Sequence, residues 1–214
     1  AVGWSVRATG NRAFASGHRT LASGSDAVAM GNWSYATGSE TISIGKENWA
    51  QGANTVAIGK ENHAQDASAI AIGYRSHAAG GGSVALGQEN VSWGTTNFTA
   101  GYQNTAGDTS QGVGTGGSAT AMGKYNTASA DASMALNRGT SATNQAATSM
   151  GLGTTADNVG MLAIGVNNAA GLGDTAEQYF YVDGSETGSA PGVAFVVGNG
   201  DINSSTGGAG SNPS

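Results

Sequence analysis

A glycine recurs every fourteen residues through the first half of the chain. Eight successive members of this column are Gly3, Gly17, Gly31, Gly45, Gly59, Gly73, Gly87 and Gly101. A fixed period of this kind is the signature of a repeat architecture in which each unit stacks on its neighbours. The spacing therefore predicts a chain wound into coils of fourteen residues.

Large and small residues alternate in the tetrapeptide that ends at each glycine. Val56 and Ile58 enclose Ala57, and Ile70-Ala71-Ile72 repeats the pattern one period later. A two-residue alternation is the periodicity of a β-strand and does not fit a helix. Fourteen residues accommodate two short strands and two tight turns, with glycine supplying either a positive φ or a close approach of two backbones. We therefore expect an all-β solenoid, followed by a short β-rich C-terminal region.

The residues expected to define each coil are the column glycine and the aliphatic residue before it. They are Gly31, Gly45, Gly59, Gly73 and Gly87, with Ile44, Ile58 and Ile72. By volume, we expect the large aliphatic side chains to fill the coil interior. The small residues between them would then form an outer face for another chain; these are Ala29, Ser43, Ala57, Ala71 and Ala85. Ordering the fourteen residues of a coil costs more conformational entropy than so thin a core returns by apolar burial. We therefore predict an oligomer, in which burial between chains supplies the rest.

The period slips once and then stops. The repeat after Gly101 ends 22 residues later at Gly123, so eight residues are inserted, and we place them in the glycine-rich stretch 107–117. We expect repeats over 1–170 and strands within 171–203, from the sequences 179–184 and 193–200. Residues 204–214 are rich in Gly and Ser, which predicts a flexible tail.

The register as a whole resembles the YadA-like head repeats of trimeric autotransporter adhesins. Val56-Ala57-Ile58-Gly59, with Ala64 five residues after the glycine, carries the resemblance, which spans residues 3–168. It implies a left-handed parallel β-roll, a homotrimer, and attachment at the outer cell surface to a host cell, matrix protein or glycan receptor. Residues 195–200 resemble a segment that follows such rolls in phage and other fibre proteins. A virion or tail-fibre shaft is therefore the alternative.

Ring side chains form a column four residues after the glycine. They are Tyr35, Trp49, His63 and His77. Neighbouring rings on stacked coils predict a surface ladder. It is either a structural stack, an adhesive stripe or a metal site, and we take the four residues as the candidate binding surface. A metal is disfavoured because stable sites need three or four ligands and the sequence contains three His and no Cys.

Two polar columns are predicted to be structural. Asn48, Asn62, Asn90 and Asn104 lie three residues after the glycine, which suits a ladder of amide hydrogen bonds. Lys46 and Glu47 recur one coil later as Lys60 and Glu61, and Arg75 follows Glu61 in its column. This arrangement predicts local charge neutralisation at an exposed surface.

Composition and motifs disfavour several other functions. A net charge of −6 gives no electrostatic footprint for nucleic acid. No apolar run approaches the roughly 20 residues of a membrane span. A thin repetitive rod offers no cleft with clustered titratable groups, so we predict no enzyme, no catalytic or metal-binding residue and no cofactor.

Overall fold

Two strands per coil form the described part of the protein. In a computed structural model, residues 1–107 and 117–167 are described in full, together with the backbone of residues 196–199. The longer strands are β1 (Val2–Trp4), β3 (Phe14–His18), β5 (Val28–Asn32), β7 (Ile42–Lys46), β9 (Val56–Lys60), β11 (Ile70–Tyr74), β13 (Val84–Gln88), β15 (Phe98–Tyr102), β17 (Thr120–Lys124), β19 (Met134–Arg138), β21 (Thr148–Leu152), β23 (Leu162–Val166) and β24 (Val196–Asn199). The two-residue strands are β2 (Arg7–Ala8), β4 (Leu21–Ala22), β6 (Tyr35–Ala36), β8 (Trp49–Ala50), β10 (His63–Ala64), β12 (His77–Ala78), β14 (Val91–Ser92), β16 (Thr105–Ala106), β18 (Thr127–Ala128), β20 (Ser141–Ala142) and β22 (Thr155–Ala156).

Equivalent strands of successive coils pair in parallel and build two sheets. The longer strands form a 13-stranded sheet, and the two-residue strands form an 11-stranded sheet. Gly45 pairs with Gly59 and Ile44 with Ile58, so the predicted columns run in register along the sheet. The all-β parallel solenoid with fourteen-residue coils is confirmed, and no helix occurs within 1–107 or 117–167.

Each full coil closes at two corners, and the backbone turns sharply at both. One corner carries a residue in the left-handed region two positions after the glycine, as at Glu47 with φ 57° and Glu61 with φ 58°. The other carries one seven positions later, as at Asn54 with φ 58°. The coils are then joined across the corners by backbone hydrogen bonds, such as Glu61 N–H to the Lys46 carbonyl at 2.8 Å.

The column glycine is required both for its positive φ and for the close approach of two backbones. Gly59 has a φ of 121°, which L side chains rarely adopt, and a Cβ on it would lie 2.1 Å from the Gly73 carbonyl oxygen. Asn137 takes this place in one coil, where φ falls to 86°. In the second glycine column only the close approach applies, because a Cβ on Gly38 would lie 2.1 Å from the Gly52 oxygen.

The coil interior contains the small residues, so our expectation from side-chain volume is wrong. Every buried apolar residue of the described chain, glycine apart, is an alanine except Met161. The five small residues expected on the outer face are all fully buried: Ala29, Ser43, Ala57, Ala71 and Ala85. The four inward columns are filled mostly by Ala, Ser, Thr and Asn, because a fourteen-residue perimeter encloses too little space for larger side chains.

The large aliphatic residues point outward from the 13-stranded sheet. Met30 is 38% exposed and Ile42 is 37% exposed, and their partners along the sheet are at least partly exposed. We call this surface the aliphatic face; its central part consists of Val28, Met30, Ile42, Ile44, Val56, Ile58, Ile70, Ile72, Val84 and Leu86. It continues towards the C-terminal coils through Met122, Met134, Leu136, Met150, Leu162 and Ile164.

The sheet runs past both interruptions of the period. Strand β15 pairs directly with β17, and Gly101 is aligned with Gly123, although residues 108–116 between them lie outside the described residues. Strand β24 pairs in parallel with β23, with Gly165 aligned to Gly198. A strand within 193–200 is thus confirmed for Val196–Asn199, while the expected strand at 179–184 and the tail at 204–214 lie outside the described residues.

Candidate binding surface

The predicted ring ladder lies on the outer side of the 11-stranded sheet. Its members open strands β6, β8, β10 and β12, so each pairs with the next along the sheet. The ring centroids of Tyr35 and Trp49 are 5.2 Å apart, and those of Trp49 and His63 are 6.1 Å apart. His63 and His77 stack at 4.8 Å with an interplanar angle of 4°. The structure confirms the predicted ladder.

A fifth ring extends the ladder and was missed by the sequence reasoning. Trp93 meets His77 edge to face at a centroid distance of 5.1 Å. It lies two residues after Val91, which occupies the ring column in that coil. Alternate residues of an extended segment share a face, so the two-residue spacing of Val91 and Trp93 was the sequence signal that could have placed Trp93 on the ladder. The ring ladder hereafter means Tyr35, Trp49, His63, His77 and Trp93.

Glutamine side chains hold the two imidazoles in place. The Nε2 atom of His63 lies 2.9 Å from the Oε1 atom of Gln51, and the His77 Nε2 atom lies 3.3 Å from Gln65 Oε1. Because a carbonyl oxygen only accepts, each Nε2 donates in this arrangement. The glutamines come from the preceding coil and so fix the ring orientation across coil boundaries.

Both ladder histidines are uncharged near neutral pH. Burial lowers the pKa of His63. Burial, and then the charge of His63, lowers the pKa of His77 from 6.5 to about 4. Desolvation disfavours the protonated imidazole, and two stacked imidazolium rings would also repel each other. The centre of the ladder therefore presents neutral rings.

We expect the thermal stability to fall as the pH is lowered from 6.5 towards 4. The folded-state pKa of His77 is about 4, below its ordinary value of 6.5, so the unfolded chain binds more protons in this window. The contribution of neutral His77 to the free energy of unfolding is fully present above pH 6.5 and is lost as the pH falls from 6.5 towards 4. Melting curves from pH 7.5 to 5 should show this slope, and His77→Gln should reduce it. Equal slopes for the two proteins would contradict the assignment.

A shallow groove of about 510 Å³ lies beside Trp49. Its walls are Glu47, Trp49, Glu61, Asn62 and His63, and Trp49 itself is 47% exposed. Two successive coils each contribute a corner residue and a strand residue, Glu47 with Trp49 and Glu61 with His63, so the shape of the groove follows from the repeat. The groove is the point at which the ladder is most open to solvent.

The carboxylates of the groove are already paired with cations. Glu61 contacts Arg75 at 2.5 Å and Lys60 at 3.1 Å, and Glu47 contacts Lys46 at 3.4 Å. The hydrogen bond from Arg75, followed by that from Lys60, holds the pKa of Glu61 below its ordinary value. The predicted charge neutralisation is confirmed, and exposed pairs of this kind contribute little to stability.

The asparagine column forms the floor of this region inside the coil. Asn48 Oδ1 accepts hydrogen bonds from Asn62 N–H at 3.0 Å and from Asn62 Nδ2 at 3.1 Å. Asn62 Nδ2 also donates to the carbonyls of Ile58 at 2.9 Å and Gly73 at 2.8 Å. These fully buried amides link three coils, which confirms the predicted structural role.

Within 1–107 and 117–167, no three or more His, Cys, Asp or Glu residues converge as a set that would hold a metal ion. The part of the chain that the structure describes also contains no helix long and apolar enough to cross a membrane.

Comparison with known proteins identifies the repeats. The family described as YadA head domain repeat matches residues 8–34, 36–62, 67–90 and 115–136. A search of curated protein sequences finds no match to the chain. The matched segments cover coils whose glycine and alanine columns are in register along both sheets. The coils within the matched segments are YadA head domain repeats, and the described coils outside those segments share their fourteen-residue parallel architecture.

Proposed function

We propose that this chain is an extracellular, homotrimeric head or fibre segment that attaches to a cell or surface. The observation that supports this most directly is the aliphatic face, which a single chain leaves open to solvent. The YadA head repeats imply adhesin-type function, and the trimer, the receptor and the outer-surface location are our proposals for this chain. We assign it a structural and binding role and no catalytic residue.

The aliphatic face has the properties of an interface between copies. It is two residues wide and continuous over successive coils of the 13-stranded sheet. Monomeric proteins rarely expose large contiguous apolar surfaces. The alanine-rich interior buries little apolar area per residue, so burial between chains supplies stability that one coil lacks. A closed ring of three chains covers the same face on every copy.

Attachment would then use the surfaces that the trimer leaves outside. The proposed binding residues Tyr35, Trp49, His63 and His77 lie on the 11-stranded sheet, and the aliphatic face lies on the other one. A trimer built on the aliphatic face therefore does not require the ring ladder. Three identical ladders on one head allow weak individual contacts to add up through avidity.

Labelled protein should bind saturably to at least one of three surfaces: matrix-coated wells, mammalian cell layers or bacterial cells. The wild-type trimer should bind at least about 100-fold more tightly than a monomeric variant, because three linked contacts act together. Albumin-coated wells provide the background. No saturable binding to any of the three surfaces would contradict the attachment proposal.

A virion or tail-fibre shaft is the second candidate. Strand β24 continues the 13-stranded sheet, and it lies in the segment that resembles those following such rolls in fibre proteins. The same assay separates the two candidates. Binding confined to bacterial cells favours the fibre shaft, whereas binding to matrix or mammalian cells favours the bacterial surface adhesin.

A further inference from the structure

We propose that the groove beside Trp49 and the ring ladder that continues from it bind a neutral oligosaccharide. The inference rests on the proposed attachment function and names the class of ligand. It depends on three features of the surface: an exposed indole, a rim of paired carboxylates and a second indole farther along the roll.

Trp49 offers an aromatic surface to solvent, because 47% of the residue is exposed. Its ring plane meets those of Tyr35 at 61° and His63 at 72°, so neither neighbour is stacked parallel on the indole. His63 and His77, in contrast, cover each other in a parallel stack. The face of an aromatic ring carries partial negative charge, which attracts the weakly positive C–H groups on the flat side of a pyranose ring.

The groove supplies hydrogen-bond partners for hydroxyl groups without presenting an unpaired charge. The carboxylates of Glu47 and Glu61 are paired with lysine and arginine, and they keep lone pairs that can accept further hydrogen bonds. A charged ligand would have to compete with these ion pairs. A neutral polyhydroxyl ligand does not, and a groove of 510 Å³ has the size of a small-molecule site.

The ladder also gives the ligand a direction. Trp93 lies three coils beyond Trp49, which corresponds to roughly 14 Å along the roll at the usual spacing of β-strands. The two histidines between them are neutral and bonded to glutamine amides. A linear chain of sugar rings lying parallel to the roll axis would therefore contact an indole at each end and polar groups between them.

The test measures binding of defined probes to the whole trimeric chain. Cellohexaose, maltohexaose, mannohexaose and chitohexaose are the neutral probes, and a heparin hexasaccharide and hexalysine are the charged ones. Binding is followed by isothermal titration and by saturation-transfer NMR. We expect at least one neutral hexasaccharide to bind. Trp49→Ala should weaken it by about 10-fold or more, the loss expected for one stacked ring and its polar neighbours.

Trp33→Ala is the matched control, because Trp33 is also exposed, at 38%, but lies against Arg19 outside the ladder. It should leave binding within about 2-fold of wild type. Circular dichroism establishes that both variants are folded, and Trp49→Tyr should retain part of the affinity if the aromatic face is what binds.

Three results would overturn the inference: no neutral probe binds, only a charged probe binds, or Trp49→Ala and Trp33→Ala bind alike. The surface-attachment assay distinguishes this failure from failure of the proposed function. A protein that attaches to cells but binds none of the neutral probes keeps its adhesive role and loses this ligand class. A protein that binds a hexasaccharide through Trp49 but attaches to no surface keeps the site and loses the adhesive role.

Discussion

Gly59→Ala is expected to disrupt the roll although it adds a single methyl group. The new Cβ would lie 2.1 Å from the Gly73 carbonyl oxygen and 2.9 Å from Asn62 Nδ2, and the backbone φ of 121° is unfavourable for alanine. The carbonyl oxygen in the way belongs to the next coil, which is itself fixed by the coil beyond it, and the Asn62 amide is held by hydrogen bonds to the Ile58 and Gly73 carbonyls. We expect a loss of about 3 kcal/mol or more in the free energy of unfolding, seen as a fall of roughly 10 °C in the melting temperature.

Gly81→Ala is the control for this change. The atom nearest to its added Cβ would be the Ala67 carbonyl oxygen at 3.7 Å, and Gly81 does not have a positive φ. The same chemical substitution should therefore leave the melting temperature unchanged within about 2 °C. Equal melting temperatures for Gly59→Ala and Gly81→Ala would contradict the close backbone approach in the glycine column.

Ile58→Asp combined with Ile72→Asp is expected to separate the chains. The two side chains are neighbours on the aliphatic face, and covering them against other copies in the proposed trimer would contribute about 2 kcal/mol each. Aspartate removes that gain and adds the cost of burying charge. We expect assembly to weaken by at least about 100-fold, measured as a lower mass by size-exclusion chromatography with light scattering.

Val91→Asp supplies the matched control for the interface. It places the same charge at an apolar, partly exposed position on the outer side of the other sheet. The trimer should persist in this variant. A double aspartate variant that stayed trimeric would show that the aliphatic face is not the interface. If the two isoleucines lay inside the coil, the double aspartate variant would instead unfold each coil before the assembly changed.

The strands and corners follow from the sequence because their causes are local. The column glycine marks a site with a positive φ and a close approach of two backbones, and Val56-Ala57-Ile58 alternates as a strand must. The asparagine ladder was predictable for a similar reason. Where a coil carries asparagine three residues after the glycine, its buried amide bonds to its equivalent in the neighbouring coil and to backbone carbonyls, as in Asn48 and Asn62. Local geometry thus fixes the repeat.

The orientation of the strands was not predictable from side-chain volume. The alternation of Ala57 and Ile58 is compatible with either face turned inward. A preference for large residues inside assumes that each chain must complete its own core. Here the two strands of each described coil enclose mostly small side chains, and Ile58 lies on the outer surface. The deciding factor is the perimeter of the coil, which one tetrapeptide does not reveal.

The candidate surface was predicted in part. Tyr35, Trp49, His63 and His77 share a column, and a column in a parallel solenoid becomes a ladder. Trp93 was missed because it lies outside that column, although its strand direction carries it to the same surface. The groove beside Trp49 depends on corner residues such as Glu47, whose left-handed conformation is not predicted by its residue type.

Sedimentation equilibrium of the unmodified chain tests the assembly most directly. One chain has a mass of 20.9 kDa, and a head in which three copies cover one another's aliphatic faces should sediment as a single species of three times that mass. A species of 20.9 kDa that retained its β-sheet circular dichroism spectrum at micromolar concentration would contradict the account.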